Sequence, residues 1–391
     1  MLKKSAINII LLFVSILVFL MIFELFLRLF MPQPLNPLLF PTTERETFGQ
    51  YDPELGWSLK PDIESPFFSS EYNVLVKQNQ YGMRDKVYKK ENDPKKIRIA
   101  VAGDSFAWGF GVENNQTFAK VLEEKLGKNF EVLNFGVSGY GTDQEFLQFK
   151  SRILEFKPDI LIITFFPNDI ENIMNSVQYG YNKPLFILDN GKLKLTNMPV
   201  PITKEEKAQY GLKDYINFFL SHYSNSYIFL KSGIKSLYNR IVIIFDKYPE
   251  YLDTKILKKN YDKQYIDGWT LFDHLIGEFK NIGSRNNITI VLMNIPTKTQ
   301  IDEDLLGQRL RVYGTKREDY DIWKPSRLLN QYADENNVTF IDILPYLLSE
   351  DSPKGYYFKY DEHLNVKGHE FIAEWLDKEL IKKKVIKPNS Y

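Results

Sequence analysis

With 391 residues and 44% hydrophobic side chains, the chain is long for one compact domain and can bury a sizeable core. Its 50 Lys and Arg balance 50 Asp and Glu, so it lacks the basic surplus of a nucleic-acid-binding protein, and no nucleic-acid partner is expected. It has no cysteine, which excludes disulfide scaffolds, thiolate nucleophiles and cysteine-held zinc.

The first element is apolar on every face. Residues 6–23 are interrupted only by Asn8 and Ser15, and continuing to Leu27 reaches the roughly 20 residues that cross a bilayer as a helix. Lys3 and Lys4 precede the run, so the positive-inside rule keeps the N-terminus cytoplasmic and sends the rest outside, to a periplasm or cell surface. A cleaved signal peptide would need small residues after the run. The sequence there is Leu27-Arg28-Leu29-Phe30-Met31-Pro32, which is bulky. Residues 1–31 therefore read as an uncleaved single-pass anchor that meets lipid through residues 6–27. Residues 32–95, with Pro32, Pro34, Pro37, Pro41, Pro53, Pro61 and Pro66, read as a stalk and lead-in.

From residue 96 strands and helices alternate. Ile97–Ala102 is a short apolar strand ended by Gly103, and Thr117–Leu126 has helical spacing. Glu131–Phe135 is a second strand. Thr142–Phe156 is a helix, with Thr142 as N-cap and Glu145 completing a capping box. Ile160–Phe166 is fully apolar, the pattern of a central parallel strand covered on both faces. Residues 171–264 break the rhythm and read as a mostly helical insertion, with pieces near Tyr215–Leu220 and Tyr227–Leu237. Residues 265–282 form an amphipathic helix. Ile288–Ile295 and Val338–Ile343 are strands four and five, with a Pro325–Glu335 helix between them, and Val366–Leu380 is the last helix. This alternation predicts a doubly wound, flavodoxin-like three-layer α/β/α fold. Its five parallel strands take the order 2-1-3-4-5, and the site lies beyond their carboxyl ends.

Those ends carry polar residues. Gly103-Asp104-Ser105-Phe106 follows strand one. Its serine either caps the next helix or, given an adjacent base, acts as a nucleophile. Gly136 to Thr142 follows strand two and is either an ordinary turn or a backbone able to approach a ligand closely. Pro167-Asn168-Asp169 follows strand three, where an Asn amide can donate to a developing oxyanion or simply make a turn. Of the four histidines, His222 lies in the insertion, His274 in a helix, and His369 on the last helix as a half-exposed residue. Only His363 stands in a loop at the right end of the sheet, two residues after a carboxylate, Asp361.

In this order Gly103-Asp104-Ser105-Phe106, Gly139, Asn168-Asp169 and Asp361-Glu362-His363 resemble the four blocks of the SGNH/GDSL hydrolase superfamily. The resemblance covers residues 96–380 apart from the insertion. It implies Ser105 as nucleophile, His363 as general base and Asp361 as its orienting carboxylate. The Ser105 and Gly139 amides with the Asn168 side chain would form the oxyanion hole. Asp104 and Asp169 would be local braces. Two departures stand out: Phe166 occupies the usual Gly of Gly-x-Asn-Asp, and Asp-x-His replaces Asp-x-x-His. The shorter block, followed by Leu364, Asn365 and Gly368, is similar to a branch with polysaccharide O-acetyltransferases.

Rival chemistries lack their motifs. Gly109-Phe110-Gly111 misses the rest of a dinucleotide loop, and neither a P-loop nor His-Glu-x-x-His occurs. Ala107 breaks Gly-x-Ser-x-Gly. No metal and no cofactor are expected. The reading is a membrane-anchored extracytoplasmic esterase or O-acyltransferase acting on acyl, chiefly acetyl, esters of a glycan. Trp108 and the insertion either line the cleft or, for Trp108, fill the core. The alternative is a non-catalytic, membrane-tethered carbohydrate-binding or assembly protein that retains the fold.

Overall fold

The computed structural model describes residues 2–33, 44–69, 71–202, 211–234 and 252–387. Pro34, Pro37 and Pro41 of the expected stalk lie outside the described residues, as do 203–210 and 235–251 of the insertion, including the end of its expected second helix. The chain divides into two compact units. One holds residues 1–43 and 205–248, the other 44–204 and 249–391.

The larger unit is built on five parallel strands: β1 (Ile97–Ala102), β2 (Phe130–Asn134), β3 (Ile160–Phe165), β4 (Thr289–Asn294) and β5 (Thr339–Asp342). Their order is β2-β1-β3-β4-β5. Successive side chains of a strand point to opposite faces, and each face has its own core. Ala100, Ala102, Leu161, Ile163, Leu292 and Phe340 pack with α2 (Thr142–Ser151), α3 (Lys263–Arg285) and α4 (Lys324–Glu335). Ile99, Val101, Val132, Ile162, Met293 and Ile341 pack with α1 (Phe118–Leu126) and α5 (Val366–Lys382). The result is a three-layer α/β/α sandwich.

Several local readings differ from the sequence expectation. Gly141, not Thr142, is the N-cap of α2, and Gln144 takes the third helical position. Glu145 is fully buried, and among the described residues neither of its oxygens has a hydrogen-bond partner. The insertion is less helical than its composition suggests. Val177–Gln178 pairs with Tyr181–Asn182, and Leu185–Asp189 pairs with Lys192–Thr196, as antiparallel hairpins. From Glu44 onward the lead-in is folded. It forms two hairpins, Gly49–Asp52 with Gly56–Leu59 and Glu64–Phe68 with Asn73–Lys77. Phe48, just before the first hairpin, and Trp57 and Val76 within the two hairpins are buried. Trp108 is completely buried against Phe48 and Phe67, so it belongs to the core and not to the cleft.

The smaller unit contains the N-terminal helix Leu2–Phe30, the helix Leu212–Tyr223 and a second helix over 225–234. Within the first, Ile10–Phe30 has a mean hydropathy of 3.0 and is almost entirely exposed, long and apolar enough to cross a membrane.

Candidate active site

Ser105 opens a single helical turn, Ser105–Trp108, directly after β1. Gly103 makes that turn possible, because a Cβ there would overlap the Thr164 hydroxyl on β3. Asp104 caps the turn by accepting from the Phe106 amide at 2.9 Å. The Ser105 Oγ lies 2.7 Å from His363 Nε2. On the other edge of the ring, Nδ1 lies 2.6 Å from an Asp361 oxygen, which also accepts the His363 amide at 2.8 Å. A carboxylate facing Nδ1 places the ring hydrogen there and leaves Nε2 to accept from the hydroxyl. Burial acts to raise the Asp361 carboxyl, but the hydrogen bond and charge of His363, with Lys298 farther off, hold it below the ordinary value. Asp361 is therefore an anion at neutral pH.

Aromatic rings frame the imidazole. Phe110 stacks on it at 4.1 Å and Phe106 tilts against it at 4.9 Å. Phe166, at the position where Gly was expected, stacks on Phe106 at 4.0 Å. Ser105, Gly139, Asn168 and His363 line one cavity of about 380 Å³ with these rings, Glu44, Arg45 and Tyr179. Gly139 has φ of 77°, a conformation suited to glycine. Among the described residues, neither the Ser105 nor the Gly139 amide has an acceptor. Asn168 Nδ2 donates to Asp104 Oδ2 at 3.2 Å, which holds its amide at the cavity wall. The cavity thus combines a hydroxyl, an imidazole, an anion behind the imidazole and three residues that carry amide groups, Ser105, Gly139 and Asn168, at its lining.

Behind it lies a buried acidic cluster. Asp169 accepts from the Phe166 amide at 3.1 Å. Burial, then neighbouring carboxylates including Asp104, pushes Asp169 well above its ordinary value. Burial and the charges of Asp169, Asp104 and Asp143 do the same to Glu145. Beside them Asp143 forms a fully buried ion pair with Lys183 at 2.5 Å.

Four contributors escaped the sequence reading. Glu44 accepts from the Ser138 hydroxyl at 3.0 Å. The Arg45 guanidinium packs against Gly139 and over the Tyr179 ring, 4.0 Å from its centroid. Glu71 accepts from three consecutive amides, Lys359 at 2.6 Å, Tyr360 at 3.0 Å and Asp361 at 2.8 Å. Lys298 donates to the Phe358 and Lys359 carbonyls, both at 2.7 Å. The last two clamp the His363 loop from its N–H and C=O sides. Residue spacing carries no signal for them, because their partners are backbone groups.

The other histidines stand elsewhere. His222 belongs to the smaller unit. His274 sits on α3 with Nδ1 2.9 Å from the Thr270 carbonyl. His369, expected to be half-exposed, is completely buried, and its Nδ1 accepts from the Phe118 amide at 3.1 Å. Glycine at 368 lets α5 start tight against the Tyr356 carbonyl, which drives the next side chain inward.

Residues 101–253 match the family model of the GDSL-like lipase/acylhydrolase family. No curated protein sequence matches the chain significantly. Solved structures similar to it include a lipase/acylhydrolase from Enterococcus faecalis, with 13% identity, 75% of this chain and 100% of that one covered, and a TM-score of 0.40. An acetyl xylan esterase is similar at 14% identity, with 73% and 100% covered and a TM-score of 0.39. A GDSL-like lipase from Bacteroides thetaiotaomicron is similar at 12% identity, with 76% and 93% covered and a TM-score of 0.37.

Proposed function

We propose that the chain, whose residues 101–253 match the family model of the GDSL-like lipase/acylhydrolase family, is a membrane-anchored serine esterase or O-acyltransferase acting on short acyl esters of a glycan. Ser105, His363 and Asp361 work as its triad. The observation that carries this reading is the unbroken chain from Ser105 Oγ through His363 to Asp361, with links of 2.7 and 2.6 Å.

In the reaction His363 Nε2 takes the hydroxyl proton as Ser105 Oγ attacks the ester carbonyl. Asp361 stabilises the imidazolium that results. The oxyanion forms against the Ser105 and Gly139 amides and the Asn168 side chain. His363 then returns its proton to the leaving alcohol, and water or a sugar hydroxyl resolves the acyl-enzyme. Phe106, Phe110 and Phe166 crowd the nucleophile with rigid rings, which favours a short acyl group such as acetyl.

The Ile10–Phe30 helix is the anchor in this reading. A contact inside the smaller unit supports retention of the helix over its removal. Glu24 accepts from the Ser224 hydroxyl and from the Asn225 and Ser226 amides at 2.8–2.9 Å, so cleavage would strip those groups of their partner. With Lys3 and Lys4 on the cytoplasmic side, the catalytic unit faces outward.

Labelling of the full chain with a fluorophosphonate, using Ser105→Ala as control, tests the triad. Label that depends on Ser105 supports the enzyme. Glycan binding without Ser105-dependent label and without ester turnover would replace it with the non-catalytic binding protein. Glycan acetylation that rises in cells carrying Ser105→Ala identifies an esterase, and a fall identifies a transferase.

A further inference from the structure

The insertion carries a helical pair with an exposed apolar stripe, and the N-terminal helix holds that pair through Glu24 and Arg28, the two charged residues of its Ile10–Phe30 stretch. Glu24 and Arg28 are an unusual feature of so apolar a helix, since charge is costly in hydrocarbon and persists where it has a task. Here each meets the end of a helix in the insertion. The Glu24 carboxylate receives the Asn225 and Ser226 amides, which begin the helix over 225–234. Arg28 donates to the Tyr223 carbonyl, the last residue of Leu212–Tyr223, at 2.6 Å. An anion thus faces one helix N-terminus and a cation the other helix's C-terminus, the favourable sense for both dipoles. The Arg28 side chain also pairs with Glu24 at 2.8 Å. Gln33 adds its amide to Asn225 Oδ1 at 2.6 Å, and Phe23 meets the Phe229 ring edge-on at 5.7 Å.

These contacts set the level of the pair along the N-terminal helix. From Ala6 to Glu24 the helix rises about 27 Å, at 1.5 Å per residue, against a hydrocarbon core of about 30 Å. The bend at Ser224 therefore lies at the outer boundary of the bilayer. At that level the first helix presents Leu212, Tyr215, Ile216, Phe219 and Tyr223 to the outside, with Leu212 76% and Phe219 59% exposed. Their spacing of three and four residues makes one continuous stripe. Leu230 and Ile234 extend it on the second helix, with Ile234 67% exposed. In water such a stripe would be a liability. Held at the end of a spanning helix, it has lipid within reach, and Tyr215 and Tyr223 are the residue type that favours the headgroup boundary.

We propose that residues 212–234 are a monotopic membrane element that lies in the outer bilayer interface, with the stripe from Leu212 to Tyr223 in contact with acyl chains. The proposal rests on the anchor assigned above. Its occupant is lipid, not a second protein, because Phe229 of the pair meets Phe23 of the span edge-on and the exposed Leu212, Ile216 and Phe219 stand on the helix whose end is held by Arg28 of that same N-terminal helix. The anchor would then be broader than a single helix and would fix the orientation of this unit on the membrane surface.

The absence of cysteine makes the test direct. Single variants Ile16→Cys in the span, Ile216→Cys and Phe219→Cys in the stripe, and Glu124→Cys on the sheet unit are made in the full chain. Each carries an environment-sensitive fluorophore and is reconstituted into phosphatidylcholine–phosphatidylglycerol vesicles, with and without lipid-borne nitroxide quenchers. The expected result is lipid quenching at 16, 216 and 219, strongest at 216 and 219 with quenchers near the headgroup, and none at 124. Quenching at 16 alone, with 216 and 219 reporting water, overturns the proposal and leaves the anchor intact. Loss of quenching at 16 as well overturns the anchor and the proposal together. Positions 216 and 219 shielded from water yet unquenched by lipid mean a protein contact, and this also overturns it. Agreement between the two stripe positions guards against a local defect in either variant.

Discussion

Glu71 offers the sharpest test of how the site is held. Its carboxylate accepts three successive amides of residues 359–361, and Asp361 and His363 stand on that loop. The Glu71→Ala substitution removes all three bonds at once. Hydrogen bonds to a charged group are each worth about 1.5–3 kcal/mol when buried and less when water can replace them. Glu71 is only half-buried, and Lys298 still grips the loop from its carbonyl side. A total near 2 kcal/mol for loop order is therefore reasonable, and at about 1.4 kcal/mol per tenfold it equals roughly a thirtyfold loss of the productive loop conformation. That loss falls on kcat, since Glu71 does not line the cavity and substrate contacts survive. The assay is steady-state hydrolysis of a chromogenic acetate ester by the full chain. We expect kcat to drop roughly 10- to 100-fold with KM within about twofold. Glu71→Gln, which keeps an accepting oxygen, should recover part of the rate. A Glu71→Ala enzyme with unchanged kcat would refute the positioning argument. A fall confined to KM would refute it equally, because the residue would then be acting on substrate.

Two further outcomes follow from the site and its surroundings. Replacing Asn168 by Ala removes the side-chain donor proposed for the oxyanion hole and should lower kcat about 10²–10³-fold, with fluorophosphonate labelling slowed but not abolished; an unchanged rate would remove Asn168 from the proposed oxyanion hole. His369 is held neutral, pushed down to about 3 by burial, with smaller contributions from the charges of Arg84 and His363. Its depressed value means the unfolded chain takes up a proton that the folded chain refuses. Stability is full above the unfolded value of about 6.5 and declines as pH falls from there toward 3. Between pH 7 and pH 5 the wild type should lose about 2 kcal/mol more than His369→Gln. Denaturant titrations at the two pH values check this, and parallel curves for the two proteins would contradict it.

The sheet was legible because its pattern has one physical cause. A strand covered on both faces must be apolar along its length, and Ile160–Phe165 and Thr289–Asn294 are buried on both faces almost throughout. The carboxyl ends of such strands are where polar residues have no packing reason to gather. Ser105 and Asn168 therefore stand out in the sequence, as does His363 in its loop. The insertion was harder to read. Short strands such as Leu185–Asp189 alternate only weakly between buried and exposed, and a Tyr-rich, Lys-rich stretch offers no clean period of two or of 3.6. His369 misled for a related reason: a polar residue on an amphipathic helix is assigned outward by pattern, and only the close approach of α5 at Gly368 turns it inward.

The segment from Glu44 to Lys77 shows where pattern reading stops and why. Its prolines and aromatics suggest a spacer, yet it supplies groups to the cavity wall and to the loops behind it. Glu44 holds Ser138, Trp57 Nε1 donates to the Ser138 carbonyl at 3.2 Å, Arg45 packs on Gly139, and Glu71 gathers the amides before His363. Each bond joins a side chain to a backbone group or a small polar residue far along the chain, so neither partner needs a recognisable neighbour in sequence. The burial of Phe48, Trp57 and Val76 provides the binding energy that keeps these polar contacts in place. A segment that looks like a tether in sequence is thereby part of the sheet unit, and the Gly139 and Asp361–His363 loops owe their fixed geometry to it as much as to the strands that carry them.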